Sequence, residues 1–171
     1  MTVDEAAALI ADPRIDGTAW ADLGCGDGTF TLALATLLPQ ASVIHALDRD
    51  AAALRRIPAL HSGTSIQTHM GDFTRFPWPF TGLDGVLMAN SLHYVPDQRA
   101  WLRACEGALA RRRFLIVEYD TDQANPWVPY PIGKTVLTRV FQDAGYRTIE
   151  VLGSRPSIYR RAPLYAALVT A

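Results

Sequence analysis

The stretch WADLGCGDGTF, Trp20 to Phe30, sets glycines at 24, 26 and 28 between an apolar run and a helix-period run. Glycine loses more conformational freedom on folding than any other residue, so three at alternate positions mark a tight loop that something approaches closely. A strand that enters such a loop and a helix that leaves it form a βα unit, which commits the chain to parallel strands and right-handed crossovers. The rest of the chain keeps this rhythm. Strands are expected at Thr18–Leu23, Ser42–Leu47, Ile66–His69, Leu83–Ala89 and Phe114–Tyr119. Between them, apolar residues recur at helical spacing: Phe30, Leu34, Leu37 and Leu38; then Trp101, Cys105 and Leu109; then Val136, Val140 and Ala144. Asp97 is placed to cap one helix, Gly145 to stop another, and Pro58 to end the segment that starts near Asp50. The last two strands, Thr148–Gly153 and Leu164–Val169, are joined without helical period and are most simply antiparallel.

The 171 residues fit a single α/β domain, 1–171, with a core that needs neither disulfide nor metal. Apolar residues make up 49% and charged ones 19%, the balance of a folded globular chain. A net charge of −1 gives no strong nucleic-acid signal. Arg111–Arg113 reads as a solvated helix end. Cys25 and Cys105 lack metal-ligand spacing, and His45, His61 and His69 form no metal constellation, so no metal is expected. Two unpaired thiols suit a reducing cytoplasm. The N-terminal MTVDEAAALIADPRID carries acids and no apolar core, unlike a signal peptide, and no apolar run reaches the roughly 18 residues of a membrane span. Two proline-rich, Trp-bearing loops, Phe76–Gly82 and Asn125–Gly133, could wall a pocket.

The loop's spacing narrows its ligand. The dinucleotide pattern G-x-G-x-x-G would need glycine where Thr29 stands. Asp27 puts a carboxylate at the helix start, where it would repel a phosphate. Asp22 stands beside the ligand path and suits a cationic group. Asp48, at the end of the second strand, is placed to accept from both hydroxyls of a ribose. Asp72, at the end of the third, can read an adenine edge with the next backbone N–H. Three acids at three successive strand ends, together with the glycine loop, form a specific set.

The motifs ADLGCGDGTF, ALDRD, GDF and LDGVLMANSLHYVPD, in that order from Trp20 to Tyr119, resemble the class I S-adenosylmethionine-dependent methyltransferases, closest to the broad small-molecule branch that includes the ubiquinone-biosynthesis-type C-methyltransferases. The resemblance implies a doubly wound seven-stranded sheet of order 3-2-1-4-5-7-6, strand 7 antiparallel, with helices on both faces. It implies S-adenosylmethionine as cofactor. Asp22 and the backbone of Gly24, Cys25 and Gly26 would hold its methionine end, and Asp48 its ribose. Arg49 would pack beside the adenine, Asp72 and Phe73 would read the adenine edge, and Asn90 and Ser91 would face the sulfonium.

Methyl transfer is an in-line displacement that asks mainly for positioning and a dry site. A general base is needed only when the acceptor carries a proton at the reacting atom. His93, just past the fourth strand, is the candidate base, with Tyr94, Glu118, Tyr119 and Trp127 as candidate acceptor-pocket residues. The N-P-P-Y signature of amino-methyltransferases follows strand 4; here that place holds ANSLHYV, so N-methylation of a base is not supported. The insertion after strand 5 is only Asp120–Pro131, which leaves a shallow site, closure by the aromatic loop, or completion by a second subunit of a homodimer. The expected function is transfer to a small organic acceptor. Action on a protein or RNA partner, and a non-catalytic cofactor-binding module, are the alternatives.

Overall fold

A computed structural model describes residues 1–156 and 162–171. Strands β1 (Ala19–Leu23), β2 (Val43–Asp48), β3 (Leu60–His61), β4 (Thr64–Met70), β5 (Gly85–Ala89), β6 (Arg113–Tyr119), β7 (Thr148–Arg155) and β8 (Leu164–Thr170) form one sheet. Its order is β3-β4-β2-β1-β5-β6-β8-β7. The strands from β4 to β6 run parallel, and β8 is antiparallel to both neighbours. With β3 set aside this is the 3-2-1-4-5-7-6 order with its last strand reversed. The two-residue β3 adds an antiparallel hairpin at one edge, making eight strands among the described residues where seven were expected. The link between β7 and β8 runs through 157–161, outside the described residues.

Five helices cover the sheet among the described residues: α1 (Val3–Ile10), α2 (Thr29–Leu37), α3 (Ala51–Leu54), α4 (Gln98–Cys105) and α5 (Lys134–Asp143). Strand alternation builds a core on each face. On β6, Phe114 and Ile116 join Trp101, Leu137 and Phe141 below α4 and α5. Leu115 and Val117 of the same strand join Ala6, Ile10 and Leu34 below α1 and α2. β6 is thus apolar on both sides, as a covered parallel strand must be.

Caps set the helix bounds. Asp97 accepts from the Ala100 N–H at 2.9 Å and starts α4. Gly145, at φ 84°, follows α5. Thr2 and Glu5 exchange bonds of 3.2 and 2.8 Å in a capping box that starts α1. Two expectations need correction. Leu109 leaves the α4 stripe, because α4 ends at Cys105 and a 3₁₀ turn, Glu106–Ala108, carries Leu109 to a bridge with Leu83. The Phe76–Gly82 loop does not wall a pocket: Trp78 and Phe80 are buried in the core.

The parallel register matters most for the site. It brings the C-terminal ends of β1, β2, β4, β5 and β6 to one edge of the sheet, and with them the loops that follow, where α/β sheets bind ligands. Among the described residues, no helix is long and apolar enough to cross a membrane.

Candidate cofactor site and its neighbours

The glycine loop turns at the end of β1 with φ of 76° at Gly24, 54° at Gly26 and 88° at Gly28, a region side chains rarely adopt. Space is also short at Gly24, where a Cβ would lie 2.6 Å from the Ser91 Cβ and 3.2 Å from the Phe73 ring. The loop is pinned to β2. The Gly24 and Cys25 N–H groups donate to the Leu47 carbonyl at 2.8 and 3.3 Å, and the Gly26 N–H donates to Asp48 Oδ2 at 2.8 Å.

Beside the loop lies a cavity of about 280 Å³, lined by Met1, Asp22, Gly24, Cys25, Gly26, Asp27, Thr29, Phe30, Ala89 and Asn90. Asp22 is fully buried, and its Oδ2 accepts from the Thr31 hydroxyl at 2.6 Å. Its Oδ1 has no partner, nor does the buried Oδ1 of Asn90, whose backbone sits at φ 55°. Burial raises the Asp22 carboxyl to about pKa 7; the Thr31 bond opposes this and the nearby Asp48 charge adds to it. Two unmatched acceptors at one cavity call for a donor-rich group, and a cation best of all. Asp27 at the start of α2 makes a phosphate a poor occupant. Burial pushes the Cys25 thiol up, away from the thiolate form that a nucleophile needs.

Of the expected cofactor residues, the cavity gathers Asp22, Gly24, Cys25, Gly26 and Asn90; the others stand outside its lining. Asp48 accepts from the N–H groups of Gly26 and Asp50, at 2.8 and 2.9 Å, one on each oxygen. Arg49 is exposed. Asp72 Oδ1 accepts from the Thr74 hydroxyl (2.6 Å) and N–H (2.9 Å), and these bonds hold its carboxyl below the usual range. The Phe73 carbonyl accepts from the indoles of Trp78 (3.0 Å) and Trp101 (3.2 Å), which fixes the segment after β4. The Ser91 hydroxyl donates to the Leu23 carbonyl at 2.6 Å and so ties the β5 loop to β1. Sequence reasoning missed Thr31, Phe30 and Met1. Thr31 had a signal, a polar residue amid the apolar run of α2.

His93 lies in a 3₁₀ turn, Leu92–Tyr94, and is buried against Glu118, with Nδ1 to Oε2 at 2.7 Å. The Tyr94 ring, partly exposed, sits 4.4 Å from the imidazole. Tyr119, one residue after Glu118, packs on the opposite face of the sheet against the α1–α2 core. Trp127 is 73% exposed on a turn where the Asn125 side chain accepts from the N–H groups of Trp127 and Val128. Away from the site, His45 Nδ1 and His69 Nε2 meet at 3.1 Å beside Phe80, and burial lowers both pKa values. Among the described residues no group of three or more His, Cys, Asp or Glu could hold a metal.

Residues 21–112, more than half of the chain, match the sequence family described as "Methyltransferase domain". The chain belongs to that family. It carries a methyltransferase domain. An uncharacterized methyltransferase of Mycobacterium tuberculosis is 33% identical over 86 residues, which are 50% of this chain and 42% of that protein. The match therefore spans less than half of that relative. Solved structures share the fold throughout. A Leishmania major S-adenosylmethionine-dependent methyltransferase superposes with a TM-score of 0.72 at 18% identity, covering 98% of this chain and 72% of the other. YcgJ from Bacillus subtilis gives 0.70 at 11% identity, with 98% of each chain covered. Magnesium protoporphyrin IX methyltransferase from Synechocystis, solved with S-adenosylmethionine bound, gives 0.65 at 16% identity over 99% of this chain and 78% of the other.

Proposed function

We propose that this methyltransferase domain moves the methyl group of S-adenosylmethionine to a small organic acceptor. The observation that carries the cofactor assignment is the pair of buried, unpartnered oxygens, Asp22 Oδ1 and Asn90 Oδ1, at the cavity beside the glycine loop. S-adenosylmethionine bears an ammonium group that such acceptors would match; once bound, it supplies an electrophilic methyl on a sulfonium. In this reading Asp22 takes the ammonium, and the backbone of Gly24, Cys25 and Gly26 lets the methionine chain pass closely. Asp48, whose oxygens each keep a lone pair free beyond their backbone bonds, accepts from the ribose hydroxyls. Arg49 packs by the adenine, and Asp72 with the Phe73 N–H reads its edge. Asn90 faces the sulfonium end, with Ser91 bracing it from behind.

His93 and Glu118, with Tyr94 and Trp127, would line the acceptor side. The exposed Trp127 also favours a second reading, an open site that admits a protein or RNA acceptor. Titration calorimetry with S-adenosylmethionine and with NADH tests the cofactor, and methyl transfer from labelled cofactor to small molecules, bulk protein and RNA tests the acceptor. Binding of S-adenosylmethionine and not NADH, with label on a small molecule, is expected. Tight NADH binding without S-adenosylmethionine binding would overturn the reading.

A further inference from the structure

Glu118 is 1% exposed, and a buried carboxylate must find donors. Both of its oxygens find them on one residue. Oε1 accepts from the His93 main-chain N–H at 3.2 Å, and Oε2 meets His93 Nδ1 at 2.7 Å. Other polar groups nearby are occupied: the Tyr165 hydroxyl donates to the Ile132 carbonyl at 2.6 Å, and Lys134 pairs with Asp120 at 3.1 Å. Among the described residues no Lys or Arg pairs with Glu118, so its one potential counter-charge is His93 itself.

A carboxylate only accepts, so this contact places the imidazole proton on Nδ1 and leaves Nε2 a lone pair when the ring is neutral. No hydrogen bond engages Nε2 among the described residues. Aromatic rings flank the turn. Tyr94 stands against the imidazole, and Tyr130 is tied to the turn by its N–H on the His93 carbonyl at 3.0 Å. Both are more than 40% exposed, an apolar surface that a flat molecule would cover.

We propose that Glu118 is a positioning residue that presents His93 Nε2 as a general base, and that the acceptor is a planar molecule with an acidic hydroxyl, a phenol. The proposal rests on the methyltransferase reading above. The phenol oxygen bonds to the methyl carbon as the carbon–sulfur bond breaks and leaves its electron pair on sulfur. The hydroxyl proton passes to Nε2, and the imidazolium formed faces the Glu118 carboxylate until it returns the proton to water. A neutral amine attacks through its own lone pair and a thiolate is already deprotonated, so the base matters least for acceptors already in those forms.

Two measurements on the full chain test this. Nitrogen-15 NMR of the histidine rings, without any acceptor, should show neutral His93 as the Nδ1–H form, and E118Q should shift that balance. Labelled methyl transfer to simple phenols, amines and thiols should favour phenols. E118Q should lower kcat for a phenol by about a hundredfold with KM nearly unchanged. That deficit should vanish above the phenol's own pKa, where no base is needed. An Nε2–H tautomer in the wild type, an E118Q rate and pH profile like the wild type, or a cofactor-bound chain that leaves phenols unmethylated would each overturn the proposal. The wild-type tautomer and pH profile decide the matter even if E118Q fails to fold. Failure to bind S-adenosylmethionine at all would instead bring down the underlying reading.

Discussion

Asp22 carries a conflict that the cofactor would resolve. Its carboxyl is fully buried, raised to about pKa 7, and half satisfied by Thr31. Between about pH 4 and 7 the folded chain holds a proton here that the unfolded chain has lost, so stability falls as pH rises across that window and stays low above it. Asp22→Asn keeps the shape and removes the charge. At pH 8 it should stabilise the ligand-free chain by about 1–3 kcal/mol, read from urea unfolding, while weakening S-adenosylmethionine binding at least tenfold. A variant that is less stable yet binds normally would deny the role given to Asp22. For the wild type, cofactor affinity should rise from pH 5 to 7 and then level. Asp48→Ala should cost about 1–3 kcal/mol of binding; an unchanged affinity in calorimetry would place the ribose elsewhere. Gly24→Ala forces a side chain into φ 76° and onto Ser91, and should lose cofactor binding before it loses the fold.

At the scale of elements, α1 links local chemistry to the site. Met1, just ahead of the Thr2 cap, lines the cavity, so fraying at this cap loosens one wall. Thr2→Ala should destabilise the chain by about 1 kcal/mol, measured by chemical denaturation. The capping box TVDE is legible in the sequence, a threonine three residues before a glutamate. The parallel strands were legible because apolar runs buried on both faces leave no other pattern, as β6 shows. β3 was not, since two residues carry no period. The Phe76–Gly82 loop misled for a different reason: its prolines report a turn and say nothing about which side of Trp78 meets water.

For the whole molecule, strand order follows from the reversed final pair together with the resemblance, and it sets every approach at the site. His93 and Glu118 illustrate what stayed hidden. Each residue is legible as a candidate by itself. Their contact depends on β5 lying beside β6, with Ala89 opposite Val117, a register that no local motif encodes. The same long-range order lets a ligand at the strand ends brace several elements at once. At a hundredfold excess over its Kd, S-adenosylhomocysteine should add about 2.7 kcal/mol, a Tm rise of about 5–10 °C for a chain of this size; no shift would mean no site. The most direct measurement is a crystal structure with S-adenosylhomocysteine bound. The account predicts the ligand's ammonium within hydrogen-bond reach of Asp22 Oδ1 and its ribose on Asp48. A ligand seated away from the glycine loop, with Asp22 Oδ1 still unpartnered, would contradict it.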